Sequence, residues 1–139
     1  MNAKGWDDCC PFWDDYGQGY LIGTAFGDGY KVHLWKMTAD GTRLLEDSDK
    51  IIYQSKGSEA NKLYKFNGLY YHFFSEVKKG GRTVMMERSK NIWGPYEGPK
   101  QLSYPQKNLM NPTRVVSYKP DKVIGSFLPI MEPAIGADA

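Results

Sequence analysis

An all-β fold made of repeated strand-and-turn units is predicted by three observations. Aromatic residues make up 14% and hydrophobic residues 41% of the 139-residue chain, and the ten tyrosines and 15 glycines suit half-buried strands and tight turns better than helices. Short apolar runs alternate with Gly, Asp and Asn clusters, and helical periodicity is absent throughout. Finally, the chain resembles itself: sliding Phe12–Met37 by 51 positions lays Gly17 on Gly68, Tyr20 on Tyr71, Thr24 on Ser75 and Lys31 on Arg82. A repeat of about 50 residues made of short strands is the signature of a four-stranded β-propeller blade.

Asp14, Asp15 and Gly17 mark a tight turn, and Tyr20–Gly23 after it is a short strand. Phe26-Gly27-Asp28-Gly29 turns the chain again, and KVHLWKM (Lys31–Met37) alternates polar with apolar as a half-buried strand does. Ala39-Asp40-Gly41-Thr42 is the next turn, followed by an apolar strand at Ile51–Gln54. Asn67-Gly68, between two aromatic-rich runs in GSEANKLYKFNGLYYHFFS, is the strongest hairpin signal in the chain. Lys79-Gly80-Gly81 leads into a strand at Arg82–Glu87, and Gly94-Pro95 closes that unit.

Charge narrows the partners. Eighteen basic and 16 acidic residues are interspersed for a net charge of +2, so neither nucleic acid nor an anionic membrane surface is indicated. No transmembrane run or signal peptide is read, and the residues assign no compartment. Cys9 and Cys10 are adjacent, which excludes a disulfide framework and any CxxC metal spacing, so both are read as packing residues. His33 and His72 lie inside strand-like runs and are likewise read as packing, with no metal site assigned.

The repeat carries a chemical consequence. The 51-residue shift places Asp8 on Glu59, each just ahead of a blade's first hairpin, so both carboxylates are expected to face one central cavity. Two carboxylates in a polar, aromatic-lined cavity are the minimum kit for hydrolysing a glycosidic bond. Trp6, Trp13, Tyr64 and Tyr70 offer flat faces for sugar rings. On the residues alone, Asp8, with Asp7, Asp14 and Asp15 as look-alikes, reads as a turn or cap carboxylate ahead of a catalytic one, and Glu59 admits both readings.

The segments GWDDCCPFWDDYGQGYLIGT and GSEANKLYKFNGLYYHFFSE, the second followed by GRTVMMERSKNIWGPYEGP, resemble the second and third blades of glycoside hydrolase family 43, which includes β-xylosidases and α-L-arabinofuranosidases. The resemblance covers most of Trp6–Leu102 and implies about two blades of a five-bladed β-propeller. It further implies that Glu59 is the general acid and Asp8 the residue that tunes the acid's pKa, with Trp13, Tyr64 and Tyr70 as candidate substrate contacts. The family's general base is an Asp at the start of the first blade, and no residue here is assigned that role. Cys9 stands where many members have Pro, and Ala60-Asn61 where many have Gly-Pro. No redox cofactor is implied; some relatives hold calcium near the axis, but no ligand is assigned here.

From about Asn108 the strand-turn rhythm ends. The family continues with a segment like Glu-Pro-Asn-Gln-Gly-Gly-Leu-Ile-Gln-Thr, and a shifted reading frame through Met110–Pro120 permits those residues. Met110 has a codon ending in G and Asn111 one beginning AA, which forces Glu. Residues 1–109 are therefore expected to be partial propeller, and 110–139 an out-of-frame continuation of the next blade. The implied function is an inverting glycosidase of xylo- or arabino-oligosaccharides, with this chain itself inactive. The alternative is a non-catalytic sugar-binding or decayed propeller fragment, whose open sheet edges favour aggregation.

Overall fold

The computed structural model describes residues 5–103; the segment 110–139 read as out of frame lies outside them. The chain forms two four-stranded antiparallel sheets, each a simple meander in sequence order. The first contains β1 (Trp6–Trp13), β2 (Gly19–Ala25), β3 (Lys31–Met37) and β4 (Leu44–Gln54). The second contains β5 (Glu59–Phe66), β6 (Leu69–Lys78), β7 (Gly81–Ser89) and β8 (Glu97–Gln101). The only helical segment among the described residues is a single 3-10 turn at Phe26–Asp28. Two consecutive blades of a partial β-propeller result.

Turn chemistry sets the hairpins. Asn67 and Gly68 both take positive φ, 49° and 75°, the geometry whose twist matches the flanking strands in a two-residue hairpin. The corresponding β1–β2 connection is one residue longer: Asp15, Tyr16 and Gly17 lie between the Asp14 N–H and the Gln18 carbonyl that close it (3.0 Å). Asp14 Oδ1 holds this loop by accepting from the backbone N–H groups of Tyr16 and Gln18.

The core lies between the sheets. Alternation along β2 and β3 turns Tyr20, Ile22, Val32 and Leu34 to one side, where they pack with Leu63 and Ile92 of the second sheet. Aromatic contacts cross the same boundary: Phe12 meets Tyr70 edge-on at 6.1 Å, Tyr20 meets Trp93 at 5.7 Å, and Tyr53 lies 4.3 Å from Phe74. Cys10 packs against this core from β1, whereas Cys9 lays its sulfur over Gly23.

β4 is longer than the strand expected at Ile51–Gln54, because pairing with β3 begins at Leu44. Its first half, LLEDSDK, is mostly exposed and sits on the sheet's edge, where hydrogen bonds to a single neighbour suffice and no apolar alternation is needed.

Candidate active site

The first strand of each blade carries a β-bulge at the same height. In β1 the register shifts between Asp7 and Cys10, and in β5 between Glu59 and Lys62. Each bulge contains a non-glycine residue in the left-handed region, Asp8 at φ 49° and Ala60 at φ 59°. That conformation costs an L-residue roughly 1–2 kcal/mol, and bulges that re-aim side chains concentrate next to active sites.

The bulges bring three acids together. Carboxylate oxygens of Asp7, Asp8 and Glu59 all lie within 4.8 Å of one another. Asp8 Oδ2 accepts a hydrogen bond from the Ala60 N–H at 2.8 Å, which ties the second acid of one blade to the residue after the acid of the next. Asp7 Oδ1 accepts from the Asp8 N–H at 2.8 Å. Asp7 and Asp8 are exposed and Glu59 is half-buried, so the cluster opens to solvent at the start of both strands.

Arg82 supplies the counter-charge. Its Nη2 pairs with Glu59 Oε1, while Nη1 donates to the Gly57 carbonyl and to Ser75 Oγ, both at 2.9 Å. Because two fixed acceptors hold the guanidinium, it forms a preset clamp on the Glu59 carboxylate. The three carboxylates are also close enough to share a hard cation, as oxygen-rich sites for calcium do, and Arg82 already neutralises part of their charge. Beside them, the Cys9 thiol is pushed up from its usual pKa, first by burial and then by the negative charges of Asp7 and Asp8.

The ladder register corrects the repeat arithmetic. Asp7 pairs with Thr24 and Glu59 with Ser75; Thr24 and Ser75 are 51 residues apart, but Asp7 and Glu59 are 52 apart. The backbone counterpart of Glu59 is therefore Asp7, and that of Asp8 is Ala60. The extra residue in the Asp15–Gly17 turn accounts for the offset. Asp8 reaches Glu59 all the same, because its left-handed backbone turns it toward the neighbouring sheet.

Trp13, Tyr64 and Tyr70 are not brought to the carboxylates. Trp13 and Tyr64 each stand five residues along the strand from Asp8 or Glu59, and Tyr70 pairs with Lys65, so all three lie about 16 Å away at the opposite end of the blades. There Trp13 is half exposed beside Gly41, Tyr64 packs edge-on to Phe73 at 5.6 Å, and Tyr70 lies under the Lys65 ammonium at 5.2 Å. Trp6 is at the carboxylate end, wedged edge-on against His33 and Trp35. His33 bonds to Asp49 at 2.7 Å, while His72 is fully buried.

Asp7 and Arg82 were not singled out from sequence. Asp7 was hidden among look-alike aspartates. Arg82 was visible only as the repeat partner of Lys31, which spends its charge differently, on Asp28 at 2.8 Å.

Comparison with known proteins agrees with this fold. The description Glycosyl hydrolases family 43 matches residues 3–117, running past Met110. The chain is 43% identical over 94 residues to a putative beta-xylosidase of Xylanibacter ruminicola and 29% identical over 115 residues to a beta-xylosidase of Formosa agariphila. Each match covers 66% of this chain, which spans only 17% and 19% of those two relatives. Among solved structures, an exo-beta-1,3-galactanase from Clostridium thermocellum superposes with a TM-score of 0.62 at 26% identity, covering 72% of this chain and 22% of that one. An endo-1,4-beta-xylanase from Bacteroides thetaiotaomicron gives 0.57 at 27% identity, covering 70% and 36%. Two blades with paired bulges, and a family match over most of the chain, lead to one conclusion: the chain belongs to glycosyl hydrolase family 43.

Proposed function

We propose that this chain carries the acid half of an inverting glycosidase site acting on xylo- or arabino-oligosaccharides, with Glu59 as general acid and Asp8 as the residue that tunes it. The observation that carries this reading is the junction of the two bulges, where Asp8 bonds the Ala60 N–H beside Glu59. Glu59 donates its proton to the leaving glycosidic oxygen. Asp8 sets the charge facing Glu59 and holds the backbone that presents it. The oxygens of Asp8 and Glu59 lie within 4.8 Å, tighter than the roughly 6.5–9.5 Å that leaves room for a nucleophilic water. Asp8 is thus a poor fit to the water-activating base, which we assign to an aspartate outside residues 1–139. Similarity to two beta-xylosidases favours a β-xyloside over an arabinofuranoside.

The domain reading belongs to the same proposal: residues 1–109 are partial propeller and 110–139 a shifted-frame continuation, so the chain as it stands is inactive. Sequencing the coding DNA tests the tail, and a shifted frame that does not encode the expected blade segment overturns it. Aryl-xyloside and aryl-arabinofuranoside assays test the chemistry on this chain and on a frame-restored, longer form. Glu59→Gln in the long form is expected to lower turnover about 10²–10⁴-fold. Activity that survives it refutes the acid assignment, and activity in the short chain refutes the fragment reading.

A further inference from the structure

We infer that Asn61 is a positioning residue: its buried amide pins the β5 bulge that sets Glu59 beside Asp8. This deepens the proposed acid role of Glu59 and rests on it for its functional meaning.

The bulge has two anchors of unequal character. On the solvent side, the Ala60 N–H donates to Asp8, an exposed bond for which water competes. On the core side, Asn61 is fully buried, and both ends of its amide are engaged. Its Nδ2 donates to Thr24 Oγ1 at 2.8 Å, across the boundary between the two sheets. Its Oδ1 accepts from His72 Nε2 at 2.9 Å, on the adjacent strand.

Each of those partners is itself fixed. Thr24 is fully buried and gives its hydroxyl proton to the Ser58 carbonyl at 3.0 Å, on the segment that leads into Glu59. His72 is fully buried, stacked on Phe74 at 4.7 Å, and its Nδ1 lies 2.9 Å from Glu87 Oε1 on β7. The chain Ser58–Thr24–Asn61–His72–Glu87 therefore runs beneath the carboxylates from one blade to the other. Displacing Asn61 would strand buried polar atoms on β2 and β6 together, so the bulge is held in place from below. Nothing in an alanine side chain favours the left-handed backbone of Ala60, and the pinned residue after it supplies the restraint.

The test reads the backbone of Ala60 directly, by NMR on this chain. The three-bond coupling between its amide and α protons reports φ, and its amide exchange reports the bond to Asp8. In Asn61→Ala, the Ala60 coupling is expected to move toward that of an extended strand and its amide to lose protection. Leu63 and Tyr71 should keep their wild-type couplings. Thr24→Val removes the far anchor with little change of shape, and is expected to move Ala60 the same way should Asn61→Ala fail to fold. A folded Asn61→Ala or Thr24→Val chain in which the Ala60 coupling is unchanged, or its protection falls only in step with Leu63 and Tyr71, overturns the inference. Because the readout is conformational, it can fail while Glu59 remains the acid, and the glycoside assay can fail while Asn61 still holds the bulge.

Discussion

Tyr53→Phe isolates one bond between the two blades. Tyr53 on β4 donates its hydroxyl to Glu76 Oε2 on β6 at 2.8 Å, and Glu76 is only 2% exposed, with Lys78 pairing its other oxygen. Removing the hydroxyl leaves the ring's packing on Phe74 intact but strips a charge-assisted bond from a carboxylate shielded from water. Such bonds contribute about 1.5–3 kcal/mol, so the variant is expected to lose about 2 kcal/mol of unfolding free energy at pH 7. Acid should erase the difference. Burial works to raise the pKa of Glu76, but the Lys78 ammonium and the Tyr53 hydroxyl beside it prevail and hold it below the ordinary 4.5. A depressed carboxylate contributes stability that is fully present above its unfolded value and is lost as pH falls through its folded one. Wild type should therefore approach Tyr53→Phe as the pH falls below the ordinary carboxylate range, where the depressed Glu76 takes up its proton. Urea unfolding followed by tryptophan fluorescence from pH 7 down to 3.5 measures both, and Glu76→Gln completes a double-mutant cycle. A gap under about 0.5 kcal/mol at pH 7, or one that persists unchanged in acid, refutes the reasoning.

Three further substitutions probe the bulges. A Cβ at Gly23 would sit 2.7 Å from Cys9 Sγ, so Gly23→Ala is expected to cost about 1–3 kcal/mol and Cys9→Ala to recover most of it, as read by thermal melts of the single and double variants. Ala60→Gly relieves the φ of 59° and is expected to raise stability by about 1 kcal/mol in urea, with the Glu59 side chain left in place.

Much of this architecture was legible because it rests on local rules. Asn67-Gly68 specifies its own turn, and KVHLWKM declares its buried face, with Val32 and Leu34 fully enclosed. The repeat paired Asp8 with Glu59, and their carboxylate oxygens do lie together. What stayed hidden depends on neighbours distant in sequence. Trp13 and Tyr64 look like sugar platforms until strand rise carries them to the far end of the blade. The one-residue slip between Asp7 and Asp8 is invisible in a repeat too short to reveal where a turn has lengthened. Asn61 reads as an ordinary polar residue, because its importance lies in Thr24 and His72, 37 and 11 positions away.

The Asp15–Gly17 turn carries one residue more than Asn67-Gly68, yet the bulges of the two blades stay in step. A scaffold made by rotating one unit about an axis offers equal seats, and equal carboxylates in equal seats would have no reason to divide labour. The two bulges keep those seats equivalent, with Asp7 standing where the next blade has Glu59 and Asp8 where it has Ala60. What differs is the side chain in the second seat, an aspartate in one blade and an alanine in the next, so that Asp8 grips its neighbour's backbone at Ala60. The asymmetry between the blades thus lies in one side chain at the bulge, and the rim turn takes up its extra residue without disturbing it.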